Sequence, residues 1–114
     1  MPISDSERAL IAEDKITGYL LSLSHPVGRA KAKFFRAHGY SEDAAQVLAD
    51  DLRRIAAVGQ IIEQESTAYG TKHVVEGSIL TPRGTTIVVR TVWFTGREGG
   101  PPRFVTAYPK GERR

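Results

Sequence analysis

The rhythm of hydrophobic and polar positions changes once along this chain, near residue 60. Before that point apolar residues recur at helical spacing. Ile16, Tyr19, Leu20 and Leu23 form one set, Val27, Ala30, Phe34 and Phe35 a second, and Ala45, Leu48, Leu52, Ile55 and Ala56 a third. The spacing predicts amphipathic helices over about 14–23, 24–39 and 42–58. Punctuation agrees with the last two: Ser24 and Ser41 stand as N-cap candidates, Pro26 fits a first turn, and Gly39 and Gly59 follow the ends. Gly18 weakens the first helix by about 1 kcal/mol relative to Ala, so that helix depends on tertiary support.

Beyond residue 60 the period falls to two and Val, Ile, Thr and aromatics take over. Strands are predicted over Gln60–Ser66, Thr71–Leu80, Thr85–Thr95 and Arg103–Tyr108. Turns are expected at Ala68-Tyr69-Gly70 and Thr81-Pro82-Arg83-Gly84, and a Gly/Pro loop at Gly96–Pro102. The third strand is apolar on both faces (IVV, then TVWF), which predicts a central strand with Trp93 buried. The fold class is therefore α+β: about three N-terminal helices followed by a four-stranded antiparallel sheet. One domain spans 1–114, with 1–13 a loosely ordered lead-in and 110–114 a basic tail.

Composition narrows the chemistry. The chain has no cysteine, which excludes disulfides, thiolate metal sites and a cysteine nucleophile. No apolar run approaches the roughly 20 residues of a membrane span, and the first residues lack a signal-peptide pattern. A cytoplasmic protein without membrane contact is the expectation. The net charge of +3 is a mild basic bias, compatible with an anionic partner such as RNA. There is no Gly-rich phosphate loop, and the three histidines lack metal spacing with carboxylates, so neither cofactor nor metal is expected.

Four places hold residues able to do chemical work. His25 stands at the entry to the second predicted helix, where backbone N–H groups can hold an anion; the alternative is a turn histidine. Lys31 falls within that helix's apolar stripe, together with His38, while Arg29, Lys33 and Arg36 lie opposite. Either Lys31 snorkels to the rim of the core or it reaches into a pocket, and the sequence leaves both open. Tyr69, Lys72 and His73 combine a phenol, a cation and a near-neutral titrating group, although alternation puts Lys72 and His73 on opposite faces. Phe104, Thr106 and Tyr108 share one face of the last strand by alternation, and Arg90 interrupts the row of Val88 and Val92 on the third.

The blocks YLLSLSHPVGRAKAKFFRAHGY, AYGTKHVVEG, TPRG, TVWF and FVTAYP together resemble a family of small bacterial domains. That family carries the pattern HPxGxxKAxFFxxxGY, then YGxKYxVxGxLxxPxG, a VW pair and LVTAYP. The likeness runs over about residues 13–109, with His73 standing where the pattern has tyrosine. The layout is in turn similar to the barnase–EndoU–colicin–RelE class of metal-independent ribonucleases, often toxins paired with a cognate antitoxin or immunity protein. The resemblance implies an endoribonuclease of toxin type that cleaves RNA by 2′-OH attack. His25 would be its acid or base, Lys31 its charge-stabilising cation, and Thr106 and Tyr108 would hold the scissile phosphate. Tyr69, Lys72, His73 and Arg90 would bind substrate, with Tyr69 or His73 as a second proton carrier. The alternative is a non-catalytic partner-binding module of a toxin- or phage-associated system.

Overall fold

Each of the two rhythms builds one layer. A computed structural model describes residues 8–12, 15–22 and 29–112. Among them are two α-helices, α1 (Arg29–Ala37) and α2 (Ala45–Val58), and four strands, β1 (Gln60–Thr67), β2 (Gly70–Leu80), β3 (Thr86–Gly96) and β4 (Arg103–Glu112). The strands pair antiparallel in the order β1-β2-β3-β4, so the sheet is a meander with β3 inside it. The α+β reading and the four-stranded sheet hold; the helix count does not. In place of a helix over 14–23 stands a five-residue π-type turn, Ile16–Leu20, closed by Leu21 N–H donating to the Ile16 carbonyl at 2.8 Å. A segment this short, carrying Gly18, does not outweigh the cost of helix nucleation. Ile16 and Leu20 bury as the spacing implied, Leu21 buries with them, and Leu23 lies outside the described residues.

The end of α1 is specified locally. Gly39 has φ +98°, the left-handed conformation glycine adopts without steric cost, and its N–H donates to the Arg36 carbonyl. Tyr40 N–H donates to the Phe35 carbonyl, completing a Schellman motif, and the two rings meet edge-on at 6.0 Å. The β2–β3 turn seals this end, with Arg83 N–H bonding the His38 carbonyl and Arg83 Nη1 the Ala37 carbonyl. The buried positions of α1 are Ala32 and Phe35, so its core-facing line is rotated from the predicted stripe. Lys31, Phe34 and His38 are consequently only half-buried.

A 3₁₀ turn, Glu42–Ala44, leads into α2, and Ser41 makes no side-chain cap bond there. Helix α2 buries Leu48, Ala49, Leu52, Ile55 and Ala56 against the sheet. Close approach explains Gly77, since a Cβ there would lie 3.1 Å from Ile55. The facing strands contribute Val75, Ile79, Ile87, Val89, Trp93, Phe104 and Ala107 to the same core. Trp93 is fully buried; its indole N–H donates to Thr91 Oγ1 at 2.7 Å, and Thr91 donates to the Val75 carbonyl at 2.9 Å.

Two boundaries differ from the sequence reading. Part of the lead-in is held, because Leu10 bridges Arg103 in parallel and Ala9 is buried. Most of the tail is strand: β4 runs to Glu112, with Gly111 and Glu112 opposite Val88 and Ile87. Backbone pairing with β3 is available to any residue except a donorless proline, so a polar basic composition does not prevent it. No helix among the described residues is long and apolar enough to cross a membrane.

Candidate functional site

Strand alternation sorts the chemistry by face. Because Val75, Ile87, Val89, Thr91, Trp93 and Ala107 point to the helices, their neighbours Val74, Glu76, Arg90, Val92, Thr106 and Tyr108 point away from them. Register then places these residues in rows. Val74, Val92 and Thr106 lie side by side across β2, β3 and β4, and Glu76, Arg90 and Tyr108 form the next row. The β3–β4 alignment depends on register shifts between Val88 and Val89 and between Val92 and Trp93. The second shift corrects the alternation expected for this strand: Phe104 does not share a face with Thr106 and Tyr108 but packs in the core beside Trp93.

Lys31 joins this outer face from α1. Its ammonium reaches round the β4 edge, donates to Thr106 Oγ1 at 2.9 Å, and lies 4.5 Å from the centroid of the Tyr108 ring. The Lys31 side chain therefore ends on a polar partner and an aromatic face, half-buried, rather than pointing straight into solvent. In the adjacent row Arg90 Nη2 sits 3.4 Å from Glu76 Oε2, a long single contact. Arg90 Nε is buried without a hydrogen-bond partner, although over a third of the side chain is exposed. The result is a cationic patch at the β3–β4 side of the sheet. An ammonium and a guanidinium flank Tyr108, and two hydroxyls supply neutral donors. Chemically, such a set binds an anion and stabilises negative charge that develops on it.

The remaining candidates lie apart from this patch or beyond the described residues. His25 falls outside the described residues. Tyr69 projects from the β1–β2 turn, 81% exposed. Lys72 is on the outer face, yet two strands from β4, and its ammonium pairs with Glu63 at 3.2 Å and Glu65 at 3.9 Å. His73 points to the helix side, where Nδ1 meets Gln64 Nε2 at 2.9 Å and Nε2 meets Thr95 Oγ1 at 3.0 Å. Burial holds this imidazole below the ordinary histidine range, which favours its neutral form. Thus Lys31, Thr106, Tyr108 and Arg90 come together, whereas Tyr69, Lys72 and His73 do not join them.

Glu76 escaped the sequence reading. Its signal was the same-face parity with Val74, but only the β2–β3 register reveals that it stands opposite Arg90. His38 is engaged elsewhere, bonding Thr85 Oγ1 at 2.7 Å, and Thr85 bonds Thr81 at 2.7 Å. Among the described residues no group of histidine and carboxylate side chains is placed to hold a metal ion.

A family model, the domain of unknown function DUF6883, matches residues 2–111, and the chain belongs to that family. Among curated proteins none matches the sequence. A solved structure, the contact-dependent growth inhibition toxin–immunity protein complex from Klebsiella pneumoniae 342, contains a chain of similar fold. The TM-score is 0.74 at 20% identity, covering 94% of this chain and 97% of that one. At that identity the likeness establishes the fold.

Proposed function

We propose that this DUF6883 domain is a toxin-type ribonuclease that cleaves RNA through its own ribose 2′-OH, with Lys31, Thr106, Tyr108 and His25 as the reacting set. One observation carries the reading: residues 75 positions apart meet on the outer sheet face, where Lys31 bonds Thr106 and covers the Tyr108 ring. In the proposed reaction the 2′-oxygen attacks the neighbouring phosphorus and its proton passes to the His25 imidazole. The phosphorane carries extra negative charge, which the Lys31 ammonium and the Thr106 and Tyr108 hydroxyls stabilise. The bond to the 5′-oxygen then breaks and His25 returns the proton to it, leaving a 2′,3′-cyclic phosphate and a 5′-hydroxyl. The fold neighbour's origin in a toxin–immunity protein complex supports a toxin-associated setting with a partner protein of the immunity kind.

A second reading, the non-catalytic partner-binding module, has its own support. The two described histidines, His38 and His73, are both bonded away from Lys31, so neither supplies a base there. Incubation of purified protein with total RNA in EDTA separates the two. The ribonuclease reading expects cleavage with cyclic phosphate ends, and a loss of ~10²-fold or more in His25→Ala. Intact RNA after incubation with folded, inhibitor-free protein overturns it in favour of the binding module.

A further inference from the structure

Beside Lys31 the outer sheet face contains another cation that the proposed chemistry leaves unused. Arg90 lies directly across from Tyr108 in the β3–β4 register, and neighbouring side chains in such a pair sit about 5 Å apart at Cβ. Lys31 lies over the same tyrosine ring, so the two cations flank one aromatic. Arg90 is incompletely engaged: one Nη2 contact to Glu76 at 3.4 Å, and a buried Nε with no partner. Buried donors are almost always satisfied in folded proteins, so Arg90 Nε is a donor with bonding capacity still to be used. A guanidinium presents its Nε and one Nη as a planar fork, and that fork matches two oxygens of a phosphate group.

We propose that Arg90 and Glu76 form a displaceable clamp: Glu76 holds the guanidinium in the free protein, and a backbone phosphate of a bound single strand takes its place. The clamp is a phosphodiester subsite one row from Lys31. It rests on the reading of this face as an RNA site, but it concerns binding rather than bond breaking. Glu76 then has a definite role. Its carboxylate competes with phosphate for the fork, so affinity is lower than Arg90 alone would give, and weaker anions are turned away. The acidic side of the face continues this effect, since Glu63 and Glu65 sit on β1 at the opposite edge of the sheet, paired with Lys72. A strand of nucleic acid is therefore directed toward the β3–β4 side of the sheet.

The test measures binding of a 2′-O-methyl oligonucleotide, which lacks the nucleophilic hydroxyl and cannot be cut, by fluorescence anisotropy across a salt series. Arg90→Met should weaken binding by ~10-fold or more and lower the slope of log affinity against log salt by about 0.7, one phosphate contact on a single strand. Glu76→Gln should tighten binding a few-fold, and Arg54→Met, an equal loss of charge on exposed α2 surface, should leave the slope at its wild-type value. Arg90→Lys retains the charge without the fork and should fall between wild type and Arg90→Met, which covers the case of Arg90→Met folding poorly. Wild-type affinity and slope in Arg90→Met, or weaker binding in Glu76→Gln, overturns the clamp. The ribonuclease reading fails separately: uncut RNA combined with Arg90-dependent binding removes catalysis and leaves the subsite in place.

Discussion

Replacing Lys31 by methionine separates the chemistry of this face from its stability. Methionine retains an unbranched stem of similar length and removes only the ammonium. In the folded state that ammonium contributes a charged hydrogen bond to Thr106 and a cation–π contact with Tyr108. A bond of the first kind is worth about 1.5–3 kcal/mol. The second adds about 0.5–1 kcal/mol at an exposed site, and the Tyr108 ring is 46% exposed. Against this stand the roughly 1.5–2 kcal/mol of side-chain entropy that ordering a lysine costs and the access of water to the half-buried Thr106 hydroxyl. These opposing contributions nearly cancel. The net change in stability should be within about 1 kcal/mol, a Tm shift of no more than about 3–6 °C for a domain of this size. In the transition state the balance is different, because the phosphorane charge gives the ammonium a partner absent from the free protein. Losing one such donor raises a barrier by about 2.7–4 kcal/mol, or ~10²–10³ in rate. The assay compares kcat/KM on a fluorogenic RNA in EDTA with thermal melting of the same preparations. Adding Thr106→Val completes a cycle, and groups acting as a unit should show an interaction energy of about 0.5–3 kcal/mol. A Lys31→Met protein that cleaves at the wild-type rate, or one that loses activity only in proportion to lost folding, refutes the reasoning.

Two further outcomes follow from buried polar groups on the helix side of the sheet. Thr91→Val removes the acceptor of the Trp93 indole N–H inside a fully buried site, and should cost about 1–3 kcal/mol by denaturant midpoint at unchanged m, whereas Thr91→Ser should recover most of it; equal midpoints for wild type and Thr91→Val would contradict this. His73 titrates below its ordinary value of 6.5 in the folded state, so on acidification the unfolded chain takes up a proton first. Stability should therefore decline as pH falls below about 6.5 and level off beneath the folded value, and the slope should flatten in His73→Gln; an unchanged pH profile in that variant would show that other groups set it.

How much could be read from the linear chain varies element by element. The period of two and the β-branched composition after residue 60 were enough for four strands, because side-chain alternation is a property of a single strand. The apolar run on both faces of β3 was enough to place it inside the sheet, since only an interior strand is covered in that way. Gly39 marked the end of α1, because a left-handed residue is a local requirement. The helix over 14–23 was not secured by its spacing: five residues of π-type turn bury Ile16 and Leu20 equally well, and nothing local chooses between them. The last strand ran beyond its apolar residues into Lys110, Gly111 and Glu112, where backbone pairing with β3 rather than side-chain pattern sets the limit.

The candidate site divides along the same line. Alternation alone put Thr106 with Tyr108 on one face, Val88 with Arg90 and Val92 on one face, and Lys72 opposite His73, but it also put Phe104 with Thr106, which the bulge between them reverses. Parity within one strand does not say which face turns toward the helices or which residue of the next strand lies opposite. Those answers came from burial of the helix-side rows and from two register shifts between β3 and β4, which bring Tyr108 to Arg90 and Thr106 to Val92. Lys31 was ambiguous in sequence because a lysine in an apolar stripe has two inexpensive positions, at a rim or in a pocket. Its position was decided by where α1 docks against the β4 edge, and that docking depends on the packing of Ala32 and Phe35 rather than on any property of the lysine. Local periodicity therefore determined the elements and their faces, while contacts across many residues of chain determined which faces meet.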